Sequence, residues 1–592
     1  VSNQRNLILA VLLSGLLLFG SEYAIRWFYP NAGKPAVVAQ GGQAQPSSPV
    51  EGAVHTREGG LTDPAAVALE KRDLASVLKS PDRVKIDAPG LAGSINLTGA
   101  VIDDLTTKRH RAELAKDSGP VRLFSPAGTP AQYFAQFGWV GEGASLPDAQ
   151  TRWQVEGERL TPQTPVTLRW DNDTGQSFAI RLQIDADYLI SATQTVVNRA
   201  GGGGVIVARP FALINRTDAT ASIDIWNVHS GPIGAFDGSV DFSHNYDDVA
   251  ESGRIAPTGR ADWLGFTDIY WLSALIPQDG TSPSADFRSH GRGTYRADLI
   301  YQPVSVAVGK QASVTTRLFA GAKETDVLDR YEASGITNFG LSIDWGWFRW
   351  FERPIFLLLD KLFGLVGNFG VAIILLTLII RGVMFPIAQR QFASMAAMRA
   401  IQPKLKALQE RFKDDRAKLQ QETMALYKQE GVNPLAGCLP ILVQIPIFFA
   451  LYKVLILTIE MRHQPFALWI KDLSAPDPLH ILNLFGLLPF EVPSFLGIGI
   501  LAVLLGITMW LQFKLNPAAL DPIQQQVFAI MPWVLMFVMA PFAAGLLIYW
   551  ITSNVLTIAQ QWYLYRQHPQ LKAQVDKDKV EIAKKKERGE KA

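Results

Sequence analysis

The chain has 592 residues, 48% of them hydrophobic and 19% charged, enough for more than one domain but too averaged a composition to describe any single part. Its formal net charge of +2 hides a division between the two halves and identifies no partner. Cys438 is the one cysteine, which excludes an intrachain disulfide and a cysteine-rich metal site.

Residues 29–340 alternate apolar and polar side chains with many Gly and Pro, whereas the rest is mostly long apolar runs separated by basic segments. This division implies an integral membrane protein with a large soluble domain. Leu7 to Gly20 follows Arg5 and resembles the apolar region of a signal peptide. No A-x-A type site follows directly, and Tyr23, Trp27, Phe28 and Tyr29 suit the outer interface, so residues 1–28 are expected to form an uncleaved signal-anchor transmembrane helix. A removed signal peptide is the alternative. Residues 29–85, rich in Gly, Ala, Pro, Gln and Ser up to about Pro81, are expected to be a flexible linker that buries too little apolar area to offset its ordering entropy.

Residues 86–340 read as an antiparallel β-sandwich. Its alternating segments include Ser94–Ile102, Pro165–Trp170, Phe178–Ile184, Ser222–Trp226 and Ser313–Phe319, with turn signals in DNDTG (171–175) and FDGS (236–239). Thr325–Ala333 has helical character and is expected to pack on the sheets. Gly201–Gly204 lacks the Lys-Ser/Thr ending of a phosphate loop and reads as a turn between strands. His229, His244 and His290 have no metal-ligand spacing with acidic neighbours and read as surface histidines.

Residues 341–363 mix Trp345, Trp347, Trp350 and Phe351 with Arg349, Glu352 and Arg353, a composition suited to an amphipathic helix lying at the membrane surface. Residues 364–386 form the second expected span, with Arg381 inside its apolar run. A charge near the middle of a span costs about 2.5–3.5 kcal/mol, and such residues usually face a protein interior or a hydrated cavity. Arg381 could instead reach the headgroups near Pro386. Thr377, one turn earlier, shares its face and makes a polar patch.

Residues 387–432 are expected to fold as a cytoplasmic helical hairpin around FKDD, capped by Asp414 or Asp415, with Met395, Met398, Leu405, Leu408, Leu419 and Leu426 available for its seam. Its excess of Lys and Arg places it inside. Residues 433–564 should hold spans three to six. Cys438–Ile459 carries Gln444, Pro440 and Pro446, with Lys453 expected to reach outward to water. Leu479–Phe490 is too short to cross and is assigned to the outer interface. Phe495–Phe513 carries Thr508 and Gln512 on one face. Pro541 divides a Met-rich span, Val527–Ala540, from Gly545–Leu564. Six crossings put both termini in the cytoplasm, in keeping with the tail at 565–592, where nine Lys or Arg face five Asp or Glu from Arg566 onward.

Polar or amphipathic side chains thus fall on four spans: Thr377 and Arg381; Gln444; Thr508 and Gln512; and Tyr549, Trp550, Ser553 and Asn554. On one span such groups often join helices, but on four, with an arginine, they suggest a shared hydrated cavity. No phosphate loop, H-E-x-x-H motif or intramembrane acid pair supplies an energy source.

TLIIRGVMFP (377–386), NPLAGCLPILVQIPIFFALY (433–452), PFALWIKDLSAPDP (465–478) and GLLIYWITSNVLTIAQQ (545–561) resemble, in order, the YidC-type membrane protein insertases of two-membrane bacteria, within the YidC/Oxa/Alb insertase family. The resemblance is dense over the membrane half and rests on position and size over the soluble half. It implies six transmembrane helices in the inner membrane, a periplasmic β-super-sandwich, and a cytoplasmic hairpin that receives substrate. It further implies a groove, open to cytoplasm and lipid, in which Arg381 attracts the hydrophilic end of an incoming protein. The implied partners are nascent membrane proteins, the Sec translocon, the ribosome and signal recognition particle pathway, and membrane lipids; no enzyme activity, cofactor, metal or specific nucleic-acid sequence is implied. Two features depart from the family pattern: the charge at Lys453 and the length of 479–494. Met531, Met536 and Met539 could present an adaptable sliding surface or be ordinary packed or lipid-facing residues. A membrane-anchored carbohydrate-binding or carbohydrate-processing protein would need a cleft with a paired acid and base. A small-solute transporter would be expected to show an inverted repeat, and none is evident.

Overall fold

The computed structural model describes residues 56–115, 117–199, 204–223, 228–346, 348–412, 415–431, 439–485, 487–488, 497–515 and 522–567. The expected signal anchor, the glycines at 201–203, Trp347 and most of the basic tail lie outside them.

The stretch expected to be unstructured linker contains a helix. Asp63, whose carboxylate accepts the N–H of Ala65, and Pro64 at the first helical position start α1 (Pro64–Val77). No apolar stripe announced it; its one buried residue is Glu70, which accepts the N–H of Ala131 at 3.0 Å. The chain is also pinned just before α1, where Gly60 donates to Thr220 O (2.9 Å) and Thr56 O accepts from Ile223 (2.9 Å).

From Arg83 to Ala322, strands form two sheets among the described residues, one of eleven strands and one of nine. The ladders are antiparallel apart from the short parallel pairing of Lys85–Ile86 with Arg159–Leu160. The strand Leu189–Asn198 shows why they stack: every second residue is buried, so one face joins the core while the other stays partly wet. Phe124, Phe137, Trp139, Phe178, Phe266 and Phe319 fill that core. At 237–238, Asp and Gly both have positive φ (47° and 78°), the geometry a two-residue hairpin requires. The segment read as one strand, Ser94–Ile102, is the end of one strand (Leu91–Asn96) and the start of the next (Val101–Arg111). Asn96 Oδ1 accepts the N–H of Thr98, and Gly99 and Ala100 turn the chain with φ of 77° and 53°. Ser222–Ile223, expected to start a strand, is a loop held by the Ser222 N–H on Asp268 (2.9 Å), and residues 224–227 lie outside the described set.

Helix α2 (Tyr246–Ser252) begins with an Asn245–Asp248 capping box. Helix α3 (Thr325–Ala333) closes the sandwich: Val327, Leu328 and Tyr331 are buried, and the Tyr331 hydroxyl donates to Asp185 at 2.6 Å. Helix α4 (Arg349–Val366) is the amphipathic segment; it runs through Gly364 and turns at Gly367, whose φ of 66° suits glycine. Asn368 then bonds Phe466 O, and α5 (Phe369–Ala400) begins. Its stretch Phe369–Gln389, 21 residues, is the one helix among those described that is long and apolar enough to cross a bilayer. It continues through Pro386 instead of ending there.

Two short helices, α6 (Gln402–Arg411) and α7 (Arg416–Gln429), form the hairpin, with Asp415 capping α7 through the Lys418 N–H. Met395 and Met398 of the expected seam lie outside the described side chains. Helices α8 (Leu439–Leu457), α9 (Ile500–Leu515), α10 (Pro522–Met539) and α11 (Ala544–Gln567) complete the membrane half. Helix α11 packs against α5, α8 and α9, and α4 against α5 and α8. At its start, a Cβ on Gly545 would lie 3.0 Å from the Leu455 side chain and 3.2 Å from Leu473 O, so a larger residue would make these neighbours shift. Of the expected outer stretch, 479–485, Leu487 and Leu488 are described; from Ile481 they form turns and bends, closed at the root by the bridge of His480 with Gly499 and by the Ile481 N–H on Ile498 O (3.0 Å).

Lys453 corrects the expectation that it reaches water. It is 2% exposed, and its ammonium donates to the backbone carbonyl of Asp344 at 2.7 Å, with the Asp344 carboxylate 3.9 Å away. The loop preceding α4 covers that end of α8, so the shortest route for the charge is to protein acceptors.

Candidate functional site

Helices α5, α8 and α11 bring Arg381, Gln444, Tyr549 and Ser553 together. Arg381 Nε donates to Ser553 Oγ at 3.1 Å, and Nη2 bonds the same hydroxyl and Gln444 Oε1 (3.4 Å). Gln444 in turn donates to the Tyr549 hydroxyl. Ser553 lies one turn beyond Tyr549 on α11, which is why one helix face can serve both partners. All acceptors around the guanidinium are neutral, and among the described residues no carboxylate lies within ion-pairing distance of it. Arg381 is half-buried and so retains an uncompensated positive charge at a partly dry position.

A second group lies on α9 and α11, where Asn554 donates to Thr508 Oγ1 at 3.2 Å and Thr508 donates to Leu505 O. Gln512, one turn on from Thr508, has a buried carbonyl oxygen without a donor among the described residues. Trp550 stands edge-on to Phe448 of α8, ring centroids 5.0 Å apart. Thr377 is not part of the Arg381 hydrogen-bond set: its hydroxyl donates to Ile373 O at 2.7 Å on its own helix. Gln561 was missed by the sequence reading. It is buried on α11 with an unpartnered oxygen, seven residues after Asn554, so the helical period that grouped Tyr549 with Ser553 would have found it.

The soluble half meets the membrane half through arginines. Arg57 bonds Leu455 O (3.2 Å), Ile456 O (3.0 Å) and Ser474 O, and the Tyr270 hydroxyl at 2.7 Å, so it satisfies the last carbonyls of α8. Arg462 forks onto Glu58 and also donates to Arg111 O (2.7 Å) and Ala112 O (2.9 Å). Burial pushes the Glu58 carboxyl up, but hydrogen bonds from His463 and Arg462 outweigh it and hold the group below its ordinary range. Glu58, His463 and Asp472 place ligand atoms within 4.8 Å of one another, a spacing that could hold a metal ion, yet the Glu58 carboxylate already serves Arg462. His229 bonds Pro232 O and His244 lies 3.7 Å from Asp241.

Two family models match the chain: the YidC periplasmic domain over residues 83–358, and the 60Kd inner membrane protein over residues 361–572. Among curated relatives, a protein named membrane protein insertase YidC from Zymomonas mobilis is 45% identical over 569 residues, covering 95% of this chain and 96% of its own. One of the same name from Bradyrhizobium diazoefficiens is 42% identical, with 96% and 97% covered. A solved structure described as an active YidC insertase with its first transmembrane domain resolved aligns at 17% identity and a TM-score of 0.36, covering 84% of this chain and 98% of that one.

Proposed function

The chain belongs to the YidC family of membrane protein insertases, and from that premise we propose that Arg381, Gln444, Tyr549 and Ser553 form the polar floor of the groove through which it inserts its clients. The observation that carries this reading is the guanidinium bonded to neutral acceptors alone, with no carboxylate in reach among the described residues. A hydrophilic client segment is costly to move through hydrocarbon. A hydrated groove would shorten the apolar path, and one fixed positive charge would favour acidic segments. Thr508, Gln512, Trp550 and Asn554 would extend the polar wall toward α9, whereas Thr377 would serve mainly to hold its own helix. The client's apolar helix would then partition into lipid beside α5.

The family places the chain in the inner membrane with a periplasmic domain. Within that frame the reading includes six spans, cytoplasmic termini, and recruitment of the ribosome, the signal recognition particle pathway and the Sec translocon by the basic hairpin and tail. Neither the carbohydrate nor the transporter reading has an observation in its favour. Photocrosslinkers at Trp550 and Thr557, near the cluster, and at Val383, 74% exposed, would be tested on a stalled membrane-protein nascent chain. The groove reading expects crosslinks from the first two during insertion; adducts at Val383 alone would overturn it.

A further inference from the structure

Glu352 lies in the first turn of α4 and is 0% exposed, yet neither carboxylate oxygen has a hydrogen-bond donor among the described residues. The charged groups acting on it come from two other elements: Lys453 of α8 and Asp344 of the segment that leaves the sandwich. Lys453 is committed to that segment through the Asp344 carbonyl, and Gly346, with φ of 65°, would place a Cβ only 3.4 Å from the ammonium. The Lys453 ammonium thus acts on two carboxyl groups, Asp344 at 3.9 Å and Glu352, and can balance one of them. Helix α5, on the other side of α4, has no charged side chain before Arg381. The next residue, Arg353, ties this turn to the sandwich through Asp329 of α3 at 2.6 Å. The first turn of α4 is therefore where the soluble domain, the interfacial helix and a groove helix meet.

We propose that Glu352 and Lys453 are positioning residues for insertion: Glu352, seated as a neutral acid beside Lys453, keeps the first turn of α4 docked on α8, and its ionisation frees that turn toward water. Burial pushes the Glu352 carboxyl up to about 7, against the pull of Lys453 and with the help of Asp344. The sign follows from a folded pKa raised above the ordinary 4.5: the contribution to docking is complete below about 4.5 and is lost as pH rises through about 7. Glu460, also pushed up to about 7 by burial, titrates in the same window, so the test must isolate Glu352.

A cysteine in place of Ile355, buried on the inner face of α4, would be labelled with maleimide in the full-length protein carrying C438S. Dividing its rate by that of the same protein with Glu352→Gln at each pH removes the thiol's own titration and that of Glu460. The expected ratio is already above one at pH 6, because loss of docking begins near pH 4.5, and is several-fold higher again at pH 8. With Lys453→Met in both members of the comparison, the rise should move to higher pH, because the cation that favours ionisation is gone. Client insertion into proteoliposomes should fall from pH 6 to pH 8 less steeply in E352Q than in the parent. A ratio that stays flat between pH 6 and 8, a rise unmoved by K453M, or identical insertion profiles would each overturn the proposal. Arg381→Ala should lower insertion and leave the labelling ratio unchanged, which separates failure here from failure of the groove reading.

Discussion

Replacing Arg381 by alanine tests the groove most directly, because the guanidinium touches only Ser553 and Gln444 among the described residues and no counter-charge has to be subtracted. A client carboxylate at about 6 Å would gain roughly 3 kcal/mol at an effective dielectric of about 20, and roughly 0.7 kcal/mol in bulk water. With a factor of ten for about every 1.4 kcal/mol, the alanine variant should insert acidic clients between about threefold and about a hundredfold more slowly. A half-buried charge falls between these limits, so roughly tenfold is expected, against no more than about twofold for a client whose translocated segment is neutral. Arg381→Lys keeps the charge but loses the fork onto Ser553 and Gln444, and should stay within about threefold of the parent for both clients. The assay is reconstitution into proteoliposomes with paired single-span clients differing only in the acidic residues of the translocated segment, scored by protease protection. Equal loss for both clients in the alanine variant would refute the electrostatic reasoning, and a lysine variant as impaired as alanine would replace charge by geometry as the cause.

Deleting residues 61–320 should leave insertion of simple clients within about threefold of the parent, since all the groove side chains come from α5, α8, α9 and α11, while lowering the melting temperature because Arg462 loses its acceptors at 111 and 112; a folded membrane core that no longer inserts would show that the sandwich takes part directly. Arg57→Ala removes donors to the last carbonyls of α8 and should cost about 2 kcal/mol of stability, read as earlier proteolysis between the two halves on heating, with an unchanged profile counting against the clamp. Ribosome co-sedimentation should weaken as salt rises from about 0.1 M to about 1 M, where the Debye length falls from about 10 Å to about 3 Å, and should weaken further without residues 566–592. Salt-independent binding that survives loss of the tail would move recruitment to an uncharged surface.

Local patterns were legible where one element carries its own instructions. Pro165–Trp170 and Phe178–Ile184 lie within one or two residues of the strands Val166–Asp171 and Gln176–Ile184, and Thr325–Ala333 is a helix over the expected residues. Their alternation or helical period is set by the face each buries, which is written in a few adjacent side chains. Helix α1 shows the limit: it is held by a cap and by one long-range bond from Ala131 to Glu70, so it has no stripe to read. Thr377 shows another, because sharing a face with Arg381 did not decide whether its hydroxyl would serve a neighbour or its own Ile373 carbonyl.

Arg381 and Lys453 make the same argument at the level of the site. Each is a charge within an apolar helix, and the cost of such a placement is all that the local sequence expresses. The structure resolves the two in opposite ways. Lys453 is matched to Asp344, 109 residues away, so its charge is consumed in joining the soluble half to α8. Arg381 bonds Ser553, 172 residues away, and Gln444, neither of which carries a charge. On the proposed reading, a residue that meets the client differs from one that positions the helices by the charge of its partner, a property of the assembled helices that no window of adjacent residues contains. In the proposed groove, the charge left unbalanced is the one that would be available to a client.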